Sequence, residues 1–200
     1  LLDHLFRMAE DKNWQKVELG KSSTIIMGQS PKGSSYNLNG HGAPLLNGPT
    51  EFGPEHPTPV QWTTEPTRLC EEGDILFCVR GSTTGRMNWA DQQYCLGRGL
   101  AAIRPHQDKC PPGFVYAFVQ TQAAAILHQG EGGVFPNFNR DQLTSMEIPL
   151  PPIDEQRHVA EYLNKCQTKA RELEQLQAET EAELAAFTPA LLAKAFRGEL

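Results

Sequence analysis

The chain contains 200 residues, with 18 lysines and arginines against 24 aspartates and glutamates, and its formal net charge is −6. This length suits one globular domain of about 150 residues with an appended segment, and the acidic balance, taken alone, argues against a nucleic-acid partner, because phosphate neutralisation supplies much of such affinity. No apolar run approaches the roughly 20 residues of a membrane span. The 5 cysteines form no C-x-x-C pair, which suits a reducing compartment. We therefore expect a cytoplasmic protein with no membrane partner.

The first 150 residues have the pattern of a compact α+β domain, and residues 1–9 fit the tail of a preceding helix. Alternating or continuous apolar residues predict strands at 14–19, 75–79, 94–96, 99–105 and 147–150. Strands and helices do not alternate regularly along this region. That irregular order argues against a doubly wound parallel sheet.

Helices and loops complete the predicted domain. Apolar spacing predicts a helix over residues 114–127, and a short turn or helix follows at 141–146. Residues 28–53 and 130–139 are rich in residues that favour turns, and both are predicted as loops. Long irregular loops inside compact domains commonly bind something or are disordered.

A second region, residues 151–200, begins where Pro151 and Pro152 stop any helix from continuing backward. Asp154 is predicted as the N-cap of a long helix that ends near Phe187. Thr188 and Pro189 are then expected to interrupt it before a short closing helix over residues 190–196. About 34 helical residues at 1.5 Å each would form a rod of about 50 Å.

Apolar residues in this region repeat with the seven-residue spacing of a coiled coil. The predicted seam, softened by polar Gln177 and Thr180, consists of Val159, Leu163, Cys166, Ala170, Leu173, Leu184 and Phe187. A single amphipathic helix cannot bury its own stripe. We therefore expect a partner for this helix, with a homodimer as the simplest arrangement.

Charge is unevenly distributed along the predicted domain. Residues 80–104 contain Arg80, Arg86, Arg98 and Arg104 against the single acid Asp91, whereas residues 51–74 contain six acids and one arginine. One face of the domain could therefore be basic although the whole chain is acidic. A random mixture of solvated charges explains the same counts.

Several short segments, in this order and spacing, resemble the specificity subunits of type I restriction-modification systems. They are Trp14 with Leu19-Gly20, and residues 28–31 (GQSP), 44–48 (PLLNG), 73–76 (GDIL), 79–86 (VRGSTTGR), 101–105 (AAIRP), 148–156 (IPLPPIDEQ) and 191–200 (LLAKAFRGEL). The family's complete subunits usually carry two target-recognition domains and two long helices. The sequence shows one of each, as expected for a half subunit or for a piece of a longer chain.

The resemblance implies a non-catalytic, DNA-binding subunit without cofactor or metal. Its target-recognition domain would read one part of a split site in double-stranded DNA. Its helix would set spacing and dock the modification (methyltransferase) and restriction subunits. Two other interpretations stay open: the recognition part of a combined restriction-modification enzyme, and a coiled-coil scaffold for protein interactions. No phosphate-loop motif, methyltransferase motif or metal-ligand spacing is present in the sequence.

The segment between Arg80 and Arg86 is the first candidate for contact with DNA. Small residues would let its backbone approach a phosphate, while guanidinium and hydroxyl groups donate to phosphate or base edges. The candidates are Arg80, Ser82, Thr83, Thr84 and Arg86. A tight turn explains Gly81 and Gly85 better than DNA contact does, whereas we favour DNA contact for Arg86 and the two threonine hydroxyls.

Further candidates lie in the two predicted loops and near residue 98. Lys32, Tyr36 and Asn37 combine a cation, an aromatic ring and an amide, although ordinary loop composition yields the same set. Asn137, Asn139 and Arg140 could contact adenine or phosphate, but Asn also tolerates turns, and we expect that role for at least one of the two. Arg98 could reach phosphate, and an ion pair with Asp91 fits equally well.

Overall fold

The computed structural model describes residues 14–129 and 137–198. The chain divides into two compact units, Leu1–Ala160 and Glu161–Leu200, which are described separately below. The predicted functional boundary between residues 150 and 151 stays a prediction. The predicted leading helix at 1–9 and most of the predicted loop at 130–139 lie outside the described residues.

The described strands are short and the helices vary widely in length. The strands are β1 (Gln15–Glu18), β2 (Ser23–Met27), β3 (Tyr36–Asn37), β4 (Ala43–Leu46), β5 (Gln61–Thr63), β6 (Ile75–Cys78), β7 (Met87–Trp89), β8 (Cys95–Leu96), β9 (Leu100–Pro105) and β10 (Glu147–Leu150). The helices are α1 (Leu19–Ser22), α2 (Pro112–Gln129), α3 (Arg140–Thr144) and α4 (Ile153–Phe196), with 3₁₀ turns at Gly33–Ser35 and Pro49–Glu51. The predicted α+β class is confirmed.

Three sheets organise the strands of the first unit. β1 pairs with β10, a four-stranded sheet has the order β2-β9-β6-β7, and a second four-stranded sheet has the order β3-β5-β4-β8. All pairings within the β2-β9-β6-β7 sheet are antiparallel, whereas β4 pairs with β8 in parallel. The chain ends of this unit meet in the β1-β10 pair, which joins residues 15–18 to residues 147–150.

The central strand β6 separates two hydrophobic clusters. Ile75 and Phe77 belong to one cluster, and Leu76 and Cys78 belong to the other; each is fully buried. Successive side chains of a strand point to opposite faces of its sheet, so both faces of this strand are covered. A strand covered on both faces needs a continuous apolar run, which explains why β6 was predicted correctly.

Helix α2 and the residues after it cover one face of the β2-β9-β6-β7 sheet. Phe114, Val115 and Phe118 of α2 belong to the same cluster as Phe77. The Phe138 ring meets the Phe77 ring edge to face, with centroids 5.1 Å apart, a favoured arrangement of aromatic pairs. This packing holds the segment that follows residue 136 against the sheet.

Three local predictions were wrong. The predicted loop at residues 28–53 contains β3 and β4, whose two to four residues are too short to show a period in the sequence. Helix α4 begins at Ile153, so Asp154 lies in its first turn rather than at the N-cap. The same helix continues through Pro189 to Phe196; proline removes one backbone donor, and the strong helix formers around it maintain the helix.

The second unit consists of the helical residues from 161 onward, and most of the large apolar side chains described in it are exposed. Leu173, Leu184 and Phe187 of the predicted seam are 60%, 66% and 61% exposed. Ala170 is exposed, Cys166 is half-buried and Leu163 is buried. The remaining predicted seam residue, Val159, packs against the first unit's core instead. No helix within the described ranges combines the length and apolar character that crossing a membrane requires.

Candidate nucleic-acid interface

The turn that follows β6 is built by its glycines. Gly81 and Gly85 have φ angles of +84° and +87°. Residues that carry a Cβ rarely adopt such positive φ angles. The Thr84 hydroxyl donates to the Gly81 carbonyl at 2.7 Å, and the Thr84 amide donates to the same oxygen at 3.1 Å. Thr84 is 3% exposed. Its hydroxyl therefore stabilises the turn and is not presented to DNA.

The other candidates of this turn are more accessible. Arg80, Ser82 and Arg86 are exposed. Thr83 is half-buried, and its hydroxyl lies 3.6 Å from the Cys78 sulfur. The turn thus presents two guanidinium groups and one serine hydroxyl to solvent. Its two threonine hydroxyls instead contact atoms of the protein, the Gly81 carbonyl and the Cys78 sulfur.

A second turn, Gly97-Arg98-Gly99, lies against the first. The Val79 amide donates to the Gly99 carbonyl at 2.9 Å, which joins the residue before Arg80 to the residue after Arg98. The Arg98 amide donates to the Ser30 hydroxyl at 3.2 Å, which joins this turn to the loop that contains Lys32. One backbone–backbone and one backbone–side-chain hydrogen bond thus connect three cation-bearing segments.

The segment after residue 136 joins the same group of loops. The Phe138 amide donates to the Val79 carbonyl at 2.9 Å, and Asn137 beside it is exposed. The Asn139 carboxamide oxygen accepts the Gln142 amide at 2.8 Å, while the Gln142 side chain accepts the Asn139 amide at 2.9 Å. This is a capping box, so the Asn139 oxygen serves the N-terminus of α3.

Three further candidates make internal contacts. Arg140 donates to the Ile25 carbonyl at 2.7 Å, which fastens α3 to β2. The Tyr36 hydroxyl donates to the Pro31 carbonyl at 3.2 Å. The Asn37 oxygen accepts the backbone amides of Asn39 and His41 at 3.2 and 3.0 Å, and its amide donates to the His41 carbonyl at 2.9 Å. These side chains shape the loops.

Arg104, counted in the basic segment of the sequence, is a structural residue. Its Nε and one terminal nitrogen donate to the two carboxylate oxygens of Asp74 at 2.8 and 2.9 Å, and its other terminal nitrogen lies 3.0 Å from Glu71. Asp74 is 2% exposed. The hydrogen bonds that Arg104 donates to Asp74 are the main cause that raises the pKa of Arg104. Three of the segment's four arginines, Arg80, Arg86 and Arg98, are therefore exposed to solvent.

The exposed cations differ from Arg104 in their surroundings. Within residues 14–129 and 137–198, neither Lys32 nor Arg80, Arg86 or Arg98 pairs with a carboxylate. A cation that is exposed and unpaired can neutralise a phosphate without first losing a protein partner. The alternative of an Arg98–Asp91 ion pair is not found among these residues, and Asp91 instead accepts the Tyr94 hydroxyl at 2.5 Å.

The described cysteines and acids provide no second kind of site. Burial raises the pKa of Cys70 and of Cys110 to about 12, so both remain protonated thiols at neutral pH. Among the residues that the structure describes, no group of three or more His, Cys, Asp or Glu side chains could hold a metal ion.

Two hydrogen-bonded side-chain amides, exposed Asn47 and half-buried Gln61, were not among the predicted site residues. The Asn47 side chain donates to the Gln61 side-chain oxygen at 2.8 Å. Asn47 stands in one of the segments that resemble type I specificity subunits, but Gln61 lies in β5, for which no strand was predicted. The signal was a cross-strand pairing, which a single sequence does not display.

A small α+β body with connected, cation-bearing loops and a helix with an exposed apolar stripe defines a binding module. Residues 11–184 match the family model of the type I restriction modification DNA specificity domain, and the chain belongs to this family. A type I restriction enzyme MjaX specificity subunit of Methanocaldococcus jannaschii is 40% identical over 172 residues, which cover 83% of this chain and 40% of that protein.

Solved structures agree with this assignment. One chain, from a structural study of complex assembly and conformational transition of the type I R-M system, has a TM-score of 0.82 and 40% identity over 94% of this chain and 46% of its own length. The HsdS subunit from Thermoanaerobacter tengcongensis has a TM-score of 0.72 and 35% identity over 100% and 51%. The S subunit from M. genitalium, 16% identical with a TM-score of 0.56 over 86% and 44%, supports the fold alone. The chain thus spans about half the length of the relatives it matches.

Proposed function

We propose that this chain is a non-catalytic, sequence-specific DNA-binding part of a type I specificity subunit. Residues 1–150 read a few base pairs in one part of a split site in double-stranded DNA. Residues 151–200 set spacing and dock the modification (methyltransferase) and restriction subunits. The proposal includes no cofactor and places the protein in the cytoplasm, where it would meet cellular DNA.

One observation carries this proposal: exposed cations lie on loops that hydrogen bonds join together, in a chain of a DNA specificity family. Lys32, Arg80, Arg86 and Arg98 supply positive charge for phosphates, while Ser82 supplies a hydroxyl and Asn137 an amide. Phosphate contacts position a protein on DNA and base contacts specify the sequence. We therefore propose Ser82 and Asn137, rather than the internally bonded candidates, as contacts for DNA.

A salt titration tests the phosphate contacts. We expect the affinity for a mixed-sequence duplex to fall as a power of salt concentration, with each phosphate contact adding about −0.9 to the logarithmic slope. Arg80→Glu combined with Arg86→Glu should weaken binding and flatten the slope. Arg157→Glu combined with Lys165→Glu is the charge-matched control, because both residues are exposed on α4, and among the described residues Arg157 pairs with Asp154 of its own helix, at 3.6 Å. Equal loss in the control would contradict the proposed interface.

The exposed stripe of Leu173, Leu184 and Phe187 supports pairing of two chains through their helices. A two-fold pair would place two recognition domains on a palindromic split site. Light scattering across the micromolar range tests this part of the proposal. A strict monomer throughout that range would remove the homodimer and leave docking to a different subunit.

The scaffold interpretation is the second candidate, because the same stripe suits a protein partner whether or not DNA is bound. The Arg80→Glu and Arg86→Glu variant separates the two candidates. A scaffold should bind its partner subunit with or without the substitutions and should bind no DNA even as the wild type. A recognition subunit should bind DNA as the wild type, and its variant should lose DNA binding while it keeps its partner subunit. Methylation or cleavage by this chain alone would instead support the combined enzyme.

A further inference from the structure

Asn47 and Gln61 form a hydrogen-bonded pair of side-chain amides on the β3-β5-β4-β8 sheet. Asn47 follows β4 directly and is exposed, and Gln61 opens β5 and is half-buried. The cross-strand register places Gln61 opposite Leu45, two residues before Asn47. The Asn47 amide nitrogen donates to the Gln61 oxygen at 2.8 Å. Each side chain therefore fixes the orientation of the other.

The pair lies beside the turn that carries Arg98. The Gly97 amide donates to the Leu46 carbonyl at 2.8 Å. A Cβ atom on Gly97 would lie 3.0 Å from the Asn47 Cα and 3.1 Å from its side-chain oxygen, and one on Gly99 would lie 3.0 Å from the Asn47 carbonyl. These approaches are closer than nearly all real Cβ contacts, so glycine lets the turn pack directly against Asn47. An exposed cation thus flanks the amide pair.

The shared bond uses one donor of Asn47 and one acceptor site of Gln61. A carbonyl oxygen has two lone pairs, so the Gln61 side chain still presents an acceptor oxygen directly beside a donor nitrogen, while Asn47 holds that oxygen in place. In the major groove, adenine presents a donor at N6 and an acceptor at N7. Guanine presents two acceptors, cytosine a donor and thymine an acceptor beside a methyl group. Adenine alone complements an acceptor and a donor side by side.

We propose that Gln61, positioned by Asn47, reads one adenine in the major groove, with Arg98 holding a neighbouring phosphate. This inference rests on the proposed function and adds to it one specificity-determining residue, one positioning residue and the base that they select. Because the amides are already bonded to each other, little side-chain freedom remains to be lost when the base is bound.

The substitution Gln61→Glu tests the inference with a minimal change. A glutamate oxygen can still accept from the Asn47 nitrogen, so the pair is kept. The group beside that oxygen changes from the Gln61 nitrogen, a donor, to a second carboxylate oxygen, an acceptor, which adenine N7 rejects and cytosine N4 accepts. Asn47→Ala removes the pair, and Gln15→Glu is the charge-matched control, since Gln15 is exposed on β1 in a different sheet.

The experiment selects binding sites for the full chain from duplexes with a randomised stretch, and then measures affinity for the selected duplex and its single-base replacements. We expect one adenine position in the wild type at which replacement weakens binding about 5- to 150-fold. That ratio should fall to near 1 in Asn47→Ala, and cytosine should be preferred there in Gln61→Glu. The added charge of a variant weakens its binding to all duplexes equally, so it cancels in the ratio of affinities for the selected duplex and its single-base replacement. The control Gln15→Glu should therefore show the same ratios as the wild type.

The possible outcomes distinguish a failure of the proposed function from a failure of the amide pair. A wild-type chain that binds no duplex would refute the proposed function and this inference with it. Selective binding with unchanged ratios in Gln61→Glu, or wild-type binding without any sequence preference, would refute the amide pair alone. A uniform loss of affinity for all duplexes in Asn47→Ala would mean that the pair only supports the fold, and it would overturn the inference. The exception is a Gln61→Glu variant that is folded by circular dichroism and selects a different base.

Discussion

The two units of the chain differ in the exposure of their large apolar side chains. In the first unit, Leu76 and Phe77 of β6 are fully buried on opposite faces of one strand. In the second unit, Leu173, Leu184 and Phe187 are more than half exposed. Burial of apolar area stabilises a fold by about 25 cal/mol per Å². The first unit therefore gains this energy within the chain, whereas the exposed side chains of the second would gain it through the proposed partner.

The arginines of the first unit show the same contrast at a smaller scale. Arg104 holds a nearly buried carboxylate of Asp74 with two hydrogen bonds, while Arg86 is exposed on the turn after β6. The first arginine is occupied by the fold and the second is available to a ligand. Charge counted along the sequence does not separate these two roles.

The largest expected effect concerns the core of the first unit. Phe77→Ala should lower the free energy of unfolding by about 3–5 kcal/mol, because it removes a fully buried ring and its edge-to-face contact with Phe138. Chemical denaturation followed by circular dichroism measures the loss. Leu184→Ala is the matched control in the exposed stripe and should change the value by less than about 0.5 kcal/mol at low protein concentration. Similar losses in both variants would erase the contrast between the units.

The next largest effect separates the two kinds of arginine. Arg104→Ala leaves the Asp74 carboxylate buried without its cation, and it should cost about 2–3 kcal/mol, at the low end for such pairs because Arg104 is 32% exposed. Arg86→Ala should leave stability nearly unchanged and weaken DNA binding instead. Thermal unfolding and DNA titration of both variants provide the measurement. Reversed results would place Arg104 at the interface and Arg86 in the fold.

Strand β6 could be predicted from the sequence because burial on both faces requires a continuous apolar run, which residues 75–78 show. Strands β3 and β5 contain two and three residues, and tertiary pairing alone creates them. The expected stop at Pro189 follows from a local rule that the flanking helix formers override.

The sequence predicted which turns of the candidate site carry exposed cations better than it predicted the hydrogen bonds of individual side chains. Exposure of Arg80 and Arg86 agrees with the charge pattern and the glycines of their turn. The roles of Thr84 and Asn37 depend on which way a short side chain points inside a turn, which composition does not encode. Asn139 could have been assigned correctly, since Asn139 and Gln142 have the spacing of a capping box.

A smaller effect concerns that capping box. Asn139→Ala should cost about 1 kcal/mol of stability, because the Gln142 amide at the start of α3 loses its acceptor. Asn139→Asp keeps an acceptor there and should retain most of the stability. Asn137→Ala, two residues away on an exposed side chain, should affect DNA binding and not unfolding. A normal melting temperature for Asn139→Ala would show that α3 does not need this cap.

The smallest effect on unfolding is expected where the apolar surface is greatest. Leu184→Gln combined with Phe187→Gln should change the stability of the dilute chain by less than about 0.5 kcal/mol, because both residues are more than 60% exposed before the change. If two chains pair through this stripe, the wild-type melting temperature should rise with protein concentration, since association stabilises the folded state by mass action. The double variant should lose that dependence and keep its DNA slope per chain. A loss of stability as large as that of Phe77→Ala would instead mean that the stripe completes the fold of a single chain, and the two units would then differ in degree and not in kind.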